Sequence, residues 1–368
     1  MLPIIGDLNM DAINVLSLFD GISCGQYSLE LAGIPVKKYY ASEIDENCIK
    51  ITQKNYPNTI QLGDVRNLNL TDFVCVPCDD DLIDLLIGGS PCQDLSIAGT
   101  RKGLEGNRSC LFWEFVRVLK TIKPRYFLFE NVASMKCEDK EIITKTLGVE
   151  PICINSALVS AQTRKRLYWT NIPNVQQPED RNIMLKDIIH EKNVDFYLYN
   201  RNEKLKTQIE KSKPLLFSDE RGLNRNQDQT AIVKWLKEFI VPIDESFHII
   251  PKEIKRGKVG WFRQDSQANR VYYLNGKGIT LCGEAGGGAA KMGQYLFGDV
   301  INNGKDFAVQ GYIRRLTPIE CERLQTLPDN YTEGISSAQR YKCLGNGWTC
   351  EVIAHILKGM VEDGKLQK

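Results

Sequence analysis

The chain has 368 residues, of which 42% are hydrophobic and 25% are charged, and its formal net charge is +1. These values are typical of a globular protein with one large or two smaller domains. They exclude a strong overall attraction to nucleic acid but not a local basic cleft. No apolar run approaches the roughly 18 residues that a membrane span needs. Met1–Asp11 holds two acidic and no basic residues, unlike a signal peptide, so we interpret it as a short extension and expect a cytoplasmic protein.

The first 170 residues alternate short apolar runs with amphipathic stretches. The predicted strands are Ile13–Phe19, Lys38–Ser42, Leu82–Ile87, Tyr126–Phe129 and Leu167–Trp169. The predicted helices are Cys24–Ala32, Glu46–Asn55 and Leu111–Thr121. This alternation predicts an α/β fold with a parallel sheet and helices on both faces. In such sheets ligands bind beyond the carboxyl ends of the strands, which is where the polar motifs of this chain fall.

After residue 171 the chain becomes rich in Lys, Asn, Asp and Glu, and then in glycine clusters between short β-like runs at Arg270–Leu274 and Gly278–Leu281. Helical patterning returns at Thr317–Leu324 and Cys350–Lys358. We therefore predict three parts. Residues 12–171 form a first domain, residues 172–312 form a second and smaller domain, and residues 313–368 return to the first.

The twelve cysteines are scattered and do not suggest a disulfide framework. Cys75 and Cys78 form one CxxC pair, but no second pair stands at the spacing that a zinc site requires. We predict a loop with two thiols and no metal.

The segment Phe19–Gly25 follows the first predicted strand and opens the first predicted helix. Glycines in such a turn let the backbone approach a ligand at a helix N-terminus. Glu43 ends the second strand, where an acid binds ribose hydroxyls, and Asp64 ends a predicted third strand, where it would bond an adenine amino group. The spacing GxGxxG of nicotinamide enzymes is absent. The alternative is a structural turn with two surface carboxylates.

Three further motifs end predicted strands. Cys92 follows two glycines after the strand Leu82–Ile87 and is a candidate nucleophile, or else a small buried hydrophobe. Glu130 follows four apolar residues, a setting that favours proton donation, or else it is a surface acid. Arg164 and Arg166 alternate before another strand and would point to the same side, or else they form a solvated basic edge.

Together these residues resemble the cytosine-C5 DNA methyltransferases over almost the whole chain. Five stretches carry the resemblance, in the family's usual order: Phe19–Gly25, Ser90–Gln93, Glu130–Val132, Gln162–Arg166, and Arg315–Glu320 running into Arg323–Gln325. The resemblance implies a Rossmann-like methyltransferase sheet that binds S-adenosylmethionine, with 172–312 as the target-recognition domain. The sequences Phe19–Ile22, Ala41–Glu43 and Gly345–Trp348 are similar to the animal de novo branch, whereas Gly278–Tyr295 is similar to bacterial enzymes.

The resemblance also implies residue roles. Cys92 would be the nucleophile, Glu130 would bond the cytosine N3 edge, Arg166 would reach the cytosine carbonyl oxygen, and Arg164 would support nearby backbone. The cofactor-binding residues that it implies are Phe19, Gly21, Gly25, Glu43, Ile44, Asp64, Val65, Leu111 and Asn346. The DNA-binding residues that it implies are Ser96, Ala98, Arg101, Thr280, Gly287 and Lys291, with Ala98 entering the gap left by an extruded base.

The implied partner is double-stranded DNA, bound near the nucleoid by a monomer. A cognate restriction endonuclease, a solitary regulatory role and a phage defence all remain open. Three other functions predict different sequence features. A transfer-RNA cytosine methyltransferase would carry Cys-Phe-Thr within 172–312, which is absent there. A catalytically inactive binding protein would have no need of Cys92, Glu130 and Arg166 together. A nicotinamide oxidoreductase would show GxGxxG.

Overall fold

The computed structural model describes residues 11–73, 82–91, 111–190 and 307–366. Between 191 and 306 it describes the segments 197–198, 206–207, 240–241, 247–249, 258–263, 265, 269–283 and 293–302. Cys75 and Cys78 lie outside these residues. Within them, no helix is long and apolar enough to cross a bilayer. No group of three His, Cys, Asp or Glu side chains there is arranged to hold a metal ion.

A seven-stranded sheet forms the centre of the first part of the chain. Its strands are β1 (Ile13–Leu18), β2 (Val36–Ser42), β3 (Ile60–Gln61), β4 (Leu85–Gly88), β5 (Tyr126–Val132), β6 (Ile152–Asn155) and β7 (Lys165–Thr170). Their spatial order is β3-β2-β1-β4-β5-β7-β6. All neighbouring pairs are parallel except those of β7, which runs antiparallel to β5 and β6. The expectation of an α/β methyltransferase-like sheet is confirmed. The exception within this parallel-rich sheet is β7, which returns from β6 as an antiparallel hairpin and inserts between β5 and β6.

Eight helices are described. They are α1 (Cys24–Ala32), α2 (Glu46–Asn55), α3 (Leu111–Ile122), α4 (Cys137–Leu147), α5 (Leu185–Ile188), α6 (Pro318–Leu324), α7 (Ser337–Asn346) and α8 (Cys350–Leu366). The bounds of α1 and α2 match the sequence prediction because their ends carry local signals. Gly33 ends α1 in the left-handed conformation, and the Asp45 carboxylate accepts the Asn47 N–H at the start of α2.

The core of the first sheet has two layers, because successive strand residues point to opposite faces. On one face Val15, Leu85 and Leu128 pack with Leu29 of α1 and Ile356 of α8. On the other face, the next residue of each of those strands packs against the aromatic side chains of α3. These residues are Leu16, Leu86, Phe129, Phe112 and Phe115. The C-terminal helix therefore completes the layer that α1 begins.

A second sheet of six strands lies in the region between β7 and α6. Its strands are β10 (Ile240–Val241), β11 (Phe247–Ile249), β12 (Lys258–Phe262), β13 (Arg270–Tyr273), β14 (Gln294–Asn302) and β15 (Phe307–Arg314), in the order β10-β15-β14-β13-β12-β11. A separate pair comprises β8 (Tyr197–Leu198) and β9 (Lys206–Thr207). Val259, Phe262, Val271, Leu296 and Ile313 form a small core of the larger sheet.

The expected β-like run Gly278–Leu281 is not a strand of this sheet. Its backbone instead bonds the loop before β7: Gly278 N–H donates to Ala161 O at 2.6 Å, and Thr163 N–H donates to Gly278 O at 2.8 Å. Leu281 N–H donates to Gln162 Oε1 at 2.9 Å. The run therefore joins the second sheet's region to the first sheet rather than extending the second sheet.

A fully buried ion pair ties β15 to α6. The guanidinium of Arg314, 1% exposed, donates to both carboxylate oxygens of Glu320, 0% exposed, at 2.7 Å each. Glu320 also accepts the N–H of Thr317 and closes a capping box at the start of α6. Arg314 stacks on the ring of Phe297. Both charges are thus compensated away from water, which buried ions require.

Replacing Glu320 with Ala should lower the free energy of unfolding by about 3–5 kcal/mol, because it leaves the Arg314 charge buried without its partner. The matched control is Asp329→Ala, which breaks the partly exposed pair Arg323–Asp329 and should cost about 1 kcal/mol or less. Chemical denaturation of both variants measures the difference. Equal losses would contradict a special role for the buried pair.

Candidate active site

The polar residues of the first sheet gather at the carboxyl ends of its parallel strands. Phe19 follows β1, Glu43 follows β2 and Gly88 ends β4. Glu130 was expected to follow a strand ending at Phe129, but β5 continues to Val132. Since Gly88 pairs with Phe129 in the register of β4 and β5, Glu130 lies one residue beyond the end of β4. It is therefore held by a strand and not by a loop.

The Glu130 side chain is buried, with 8% of the residue exposed, and both of its oxygens are occupied. Oε1 forms an ion pair with Nε of Arg166 at 2.9 Å, and Oε2 accepts a hydrogen bond from the indole Nε1 of Trp348 at 3.0 Å. Arg166 pairs with Val132 in the register of β5 and β7, which puts it diagonally across from Glu130. The antiparallel direction of β7 thus brings its first residues to the edge at which β5 ends.

Arg164 is buried, and its guanidinium bonds three backbone carbonyl groups. It donates to the carbonyl oxygens of Leu281 at 2.9 Å, Gly345 at 3.2 Å and Gly347 at 2.9 Å. Exposure alternates along this segment, because Thr163 and Lys165 are exposed while Arg164 is buried and Arg166 half-buried. Arg164 therefore joins three distant segments, whereas Arg166 contacts a side chain.

The segment that leads to Cys92 is described as far as Pro91. Ser90 is buried, and the Asn131 amide donates to its carbonyl oxygen and its hydroxyl at 3.3 Å each. Gly89 lies against Glu130, since an added methyl would stand 2.8 Å from Glu130 Oε2. The backbone before Cys92 is thus fixed beside Glu130. Cys92, Ser96, Ala98 and Arg101 themselves lie outside the described residues, as do Gly287 and Lys291.

The loop between β1 and α1 has an unusual backbone. Phe19, Gly21 and Ser23 all have positive φ, at 58°, 61° and 55°. Gly21 is open, with no atom within 4 Å of an added methyl. Gly25 is the opposite case, because a methyl there would overlap the side chains of Ile87 and Tyr39. One glycine leaves the loop accessible, and the other lets α1 approach the sheet.

Glu43 braces this loop from the end of β2. Its Oε2 accepts the Gly21 N–H at 2.8 Å, and its Oε1 accepts the N–H groups of Ile44 and Asp45 at 2.7 and 2.8 Å. A carboxylate has about four lone-pair sites, so one acceptor site remains. Ile44 beside it is 68% exposed, an apolar side chain at the rim of the sheet.

Asp64 was expected at the end of the third strand, but that strand ends at Gln61. Asp64 instead caps a 3-10 turn over Val65–Asn67 and forms an ion pair with Arg66. The Arg66 hydrogen bond lowers the pKa of this carboxyl group. Val65 is buried, and its carbonyl oxygen accepts from Arg117 at 2.9 Å. Asp64 would have to share Arg66 in order to bond a ligand.

Three predicted residues remain, namely Leu111, Asn346 and Thr280. Leu111 begins α3 and packs against the aromatic face of the core. Asn346 ends α7, is exposed, and has its side chain against Gly283. The hydroxyl of Thr280 donates to Thr163 O at 2.5 Å. Asn346 and Thr280 therefore both stand where the second sheet's region meets the first sheet.

Three residues at this edge were missed as functional residues in the sequence analysis. Asn131 and Trp348 lie within sequence motifs that carry the resemblance, but neither was given a role. Trp348 was mentioned only as part of the segment that is similar to the animal de novo branch. The third is Asp20, which accepts hydrogen bonds from the Ser23 hydroxyl and from Tyr39 Oη. The pKa of Asp20 is raised from 3.8 to about 6. Burial away from water is the largest cause and the nearby Glu43 charge adds to it, while hydrogen bonds from Ser23, Ser17 and Tyr39 lower the pKa.

The Asp20 pKa predicts a pH dependence of stability. Because the folded protein binds this proton more tightly than the unfolded chain does, the contribution of Asp20 to stability should fall as pH rises from about 4 to 6. Thermal melting of wild type and Asp20→Asn should therefore show their difference changing across that range in favour of the variant. Asp329→Asn is the control of opposite sign, because the Arg323 hydrogen bond lowers the pKa of Asp329. A constant difference for Asp20→Asn would contradict the raised pKa.

Comparison with known proteins gives consistent relatives. The type II methyltransferase M.HhaI of Haemophilus parahaemolyticus is 26% identical over 371 residues, covering 96% of this chain and 95% of that protein. The orphan methyltransferase M.SPRI of Bacillus phage SPR is 26% identical, covering 96% and 98%. Both alignments span nearly the full length of this chain and of the relative, so the similarity includes the regions of both sheets.

Solved structures support the fold. A putative DNA modification methyltransferase of an Escherichia coli prophage superposes with a TM-score of 0.61 at 21% identity, covering 97% of this chain and all of that one. The methyltransferase EhMeth of Entamoeba histolytica superposes with a TM-score of 0.64 at 16% identity, covering 96% and 99%. At these identities the likeness shows the architecture alone.

The family model for C-5 cytosine-specific DNA methylases matches residues 13–362. This span contains the seven-stranded sheet, the second sheet and the helices that follow. The activity of the family is S-adenosylmethionine-dependent methylation of cytosine in DNA. The chain therefore belongs to the C-5 cytosine-specific DNA methylase family and is a DNA (cytosine-5) methyltransferase.

Proposed function

We propose that this enzyme methylates a cytosine flipped out of one specific duplex sequence, through a covalent adduct with Cys92. The observation that carries the proposal is the buried Glu130 carboxylate, paired with Arg166 at 2.9 Å beside the backbone that leads to Cys92. An acid and a fixed cation at this place match the two polar groups, N3 and the carbonyl oxygen, on one edge of cytosine.

Glu130 and Arg166 would share the work of making the ring reactive. Glu130 donates or shares a proton at N3, which is worth about 10²–10⁴-fold for acid–base help of this kind. Arg166 holds the carbonyl oxygen, on which negative charge develops. Both groups are already partnered and largely shielded from water, so little reorganisation is needed when the base arrives.

The covalent steps balance with S-adenosylmethionine as the methyl donor and its thioether as the leaving group. The electron pair of the Cys92 thiolate forms a bond to carbon 6, and the displaced π pair of the double bond between carbons 5 and 6 makes carbon 5 an enamine nucleophile. Carbon 5 takes the methyl group, then loses its proton to a base or to water, and the electron pair returned to the ring expels the thiolate. Asn131 supports this geometry by holding Ser90, two residues before Cys92.

The cofactor would lie over the ends of β1, β2 and β3. The residues fit: Gly21 is open, Glu43 keeps a free acceptor site for a ribose hydroxyl, and exposed Ile44 offers an apolar contact for adenine. Phe19, Gly25, Asp64, Val65, Leu111 and Asn346 complete the proposed set. When bound, S-adenosylmethionine supplies an electrophilic methyl group on a sulfonium.

The DNA would be held between the two sheets. A base inside a duplex is unreachable, so the cytosine must be extruded at a cost of a few kcal/mol. We assign Ser96, Ala98 and Arg101 to DNA contacts around the extruded cytosine, with Ala98 in the gap that this base leaves in the duplex. Within the proposed target-recognition domain, 172–312, we assign Thr280, Gly287 and Lys291 to DNA contacts. The Thr280 hydroxyl would leave Thr163 O to donate to a phosphate.

We further propose that one chain acts alone, because residues 13–362 already supply both sheets. A cognate endonuclease, in a cell that has one, would cut the same sequence that this enzyme protects.

Cys92→Ser should abolish methyl transfer while leaving S-adenosylmethionine binding within about twofold of wild type, because the serine hydroxyl is a far weaker nucleophile. Glu130→Gln should lower kcat by about 10²–10⁴-fold. Labelled methyl transfer to mixed-sequence duplex DNA, with bisulfite readout at base resolution, measures both and reveals the recognition sequence. Incorporation into transfer RNA and not into DNA would contradict the proposal, as would full turnover by Cys92→Ser.

DNA affinity should fall steeply with salt, because phosphate contacts release counterions. With about five such contacts, each doubling of salt would lower the affinity roughly 20-fold. Lys291→Ala should reduce the slope of log affinity against log salt by about one. Fluorescence anisotropy with the identified sequence provides the measurement, and a salt-independent affinity would contradict the proposed cleft.

A further inference from the structure

Glu130 has a second fixed partner besides Arg166. The indole N–H of Trp348 donates to Oε2 at 3.0 Å, while Arg166 occupies Oε1. An indole nitrogen only donates, so the direction of this bond is certain. The terminal torsion of a Glu side chain is broad, and one donor on one oxygen leaves the carboxylate plane free to turn. An ion pair at one oxygen together with a hydrogen bond at the other restricts that plane.

The position of Trp348 is itself determined by backbone bonds on its N-terminal side. Gly347 N–H donates to Cys343 O at 2.8 Å, and Gly347 O accepts from Arg164 at 2.9 Å. Gln325 donates to the same carbonyl at 3.3 Å and accepts the Thr349 hydroxyl at 2.9 Å. The peptide that carries the indole is therefore held on both sides.

Gly89 makes room for this contact from the end of β4. A methyl on Gly89 would lie 2.8 Å from Glu130 Oε2 and 3.3 Å from the indole nitrogen of Trp348. The rest of the Trp348 ring is half-buried against the cores on either side of it. Gly89, Glu130 and Trp348 belong to three separate segments of the chain. These segments thus meet at one hydrogen bond.

We infer that Trp348 is a positioning residue for Glu130, and that Arg164 acts on the reaction through Trp348. The inference deepens the proposed function and rests on it, since it requires Glu130 to bond the cytosine. Arg166 orients the carboxylate directly from one side. Arg164, two residues earlier, holds the carbonyl of Gly347 and so sets the donor on the other side.

The test uses Trp348→Phe, which removes the N–H and keeps the ring. Trp169→Phe is the matched control, because it removes another indole hydrogen bond, from Trp169 to the Thr144 hydroxyl at 2.9 Å, within the core. The readouts are kcat, KM for S-adenosylmethionine, and the rate of covalent trapping on DNA that carries 5-fluorocytosine in the recognition sequence. Thermal melting reports folding of each variant.

Trp348→Phe should lower kcat and the trapping rate about tenfold, as expected for a lost hydrogen bond to a charged group, with KM for S-adenosylmethionine within about twofold. Trp169→Phe should leave both rates near wild type. In a Glu130→Gln background the loss on adding Trp348→Phe should shrink to less than about twofold, because residues that act through one another are not additive.

Two results would overturn the inference. One is a Trp348→Phe enzyme that traps DNA as fast as Trp169→Phe, and the other is an undiminished tenfold loss in the Glu130→Gln background. If Trp348→Phe fails to fold, Gly89→Ala disturbs the same contact from the strand, and its trapping rate must fall for the inference to stand. A wild-type enzyme that methylates no DNA would instead remove the proposed function itself.

Discussion

The guanidinium of Arg164 joins segments of the chain that are far apart in sequence. It belongs to the loop before β7, and it bonds the carbonyls of Leu281, Gly345 and Gly347, which lie 117 to 183 residues further on. A buried cation without acceptors would be strongly unfavourable, so these carbonyls must stay in place as long as the protein is folded. Arg164 therefore helps to fix the placement of the second sheet's region and of the turn after α7 relative to the first sheet.

The surroundings of Arg164 extend the same constraint. Gln325, at the end of α6, bonds Leu344 O and Gly347 O and accepts from Thr349, whose hydroxyl also accepts from Ser156 after β6. Gly345 lies directly against the backbone of Cys282 and Gly283, where a methyl would overlap. These bonds are buried, and a network whose members are all satisfied gives rigidity as well as stability. The site is therefore assembled from segments that are distant in sequence and joined by buried hydrogen bonds.

Much of this arrangement could be predicted from the sequence, because it is encoded locally. Hydrophobic runs predicted most strands of the first sheet, and cap residues such as Asp45 and Gly33 fixed the helix ends. The direction of β7 could not be predicted, since an alternating pattern has no polarity. Glu130 was taken as the end of its strand because a charge rarely continues a buried run, and only its partners on β7 and at Trp348 make the continuation stable.

Two of the missed residues, Trp348 and Asn131, have partners that are remote in sequence. Trp348 bonds a carboxylate 218 residues away. Asp20 was visible in the first motif, but its raised pKa depends on its burial in the folded protein, which the local sequence pattern does not indicate. By contrast, Glu43 was found because its position after β2 follows from the topology of parallel sheets alone.

The run at 278–281 bears on how such an enzyme could evolve to recognise a different DNA sequence. This run meets the loop before β7 mostly through main-chain atoms, the N–H and carbonyl of Gly278, the N–H of Leu281 and the carbonyl that Arg164 binds. Every residue except proline offers the same main-chain N–H and carbonyl groups. The joint between the reacting half of the molecule and the half proposed to read DNA therefore places little demand on which side chains follow it. Evolution can therefore change the side chains that contact DNA without moving the catalytic residues.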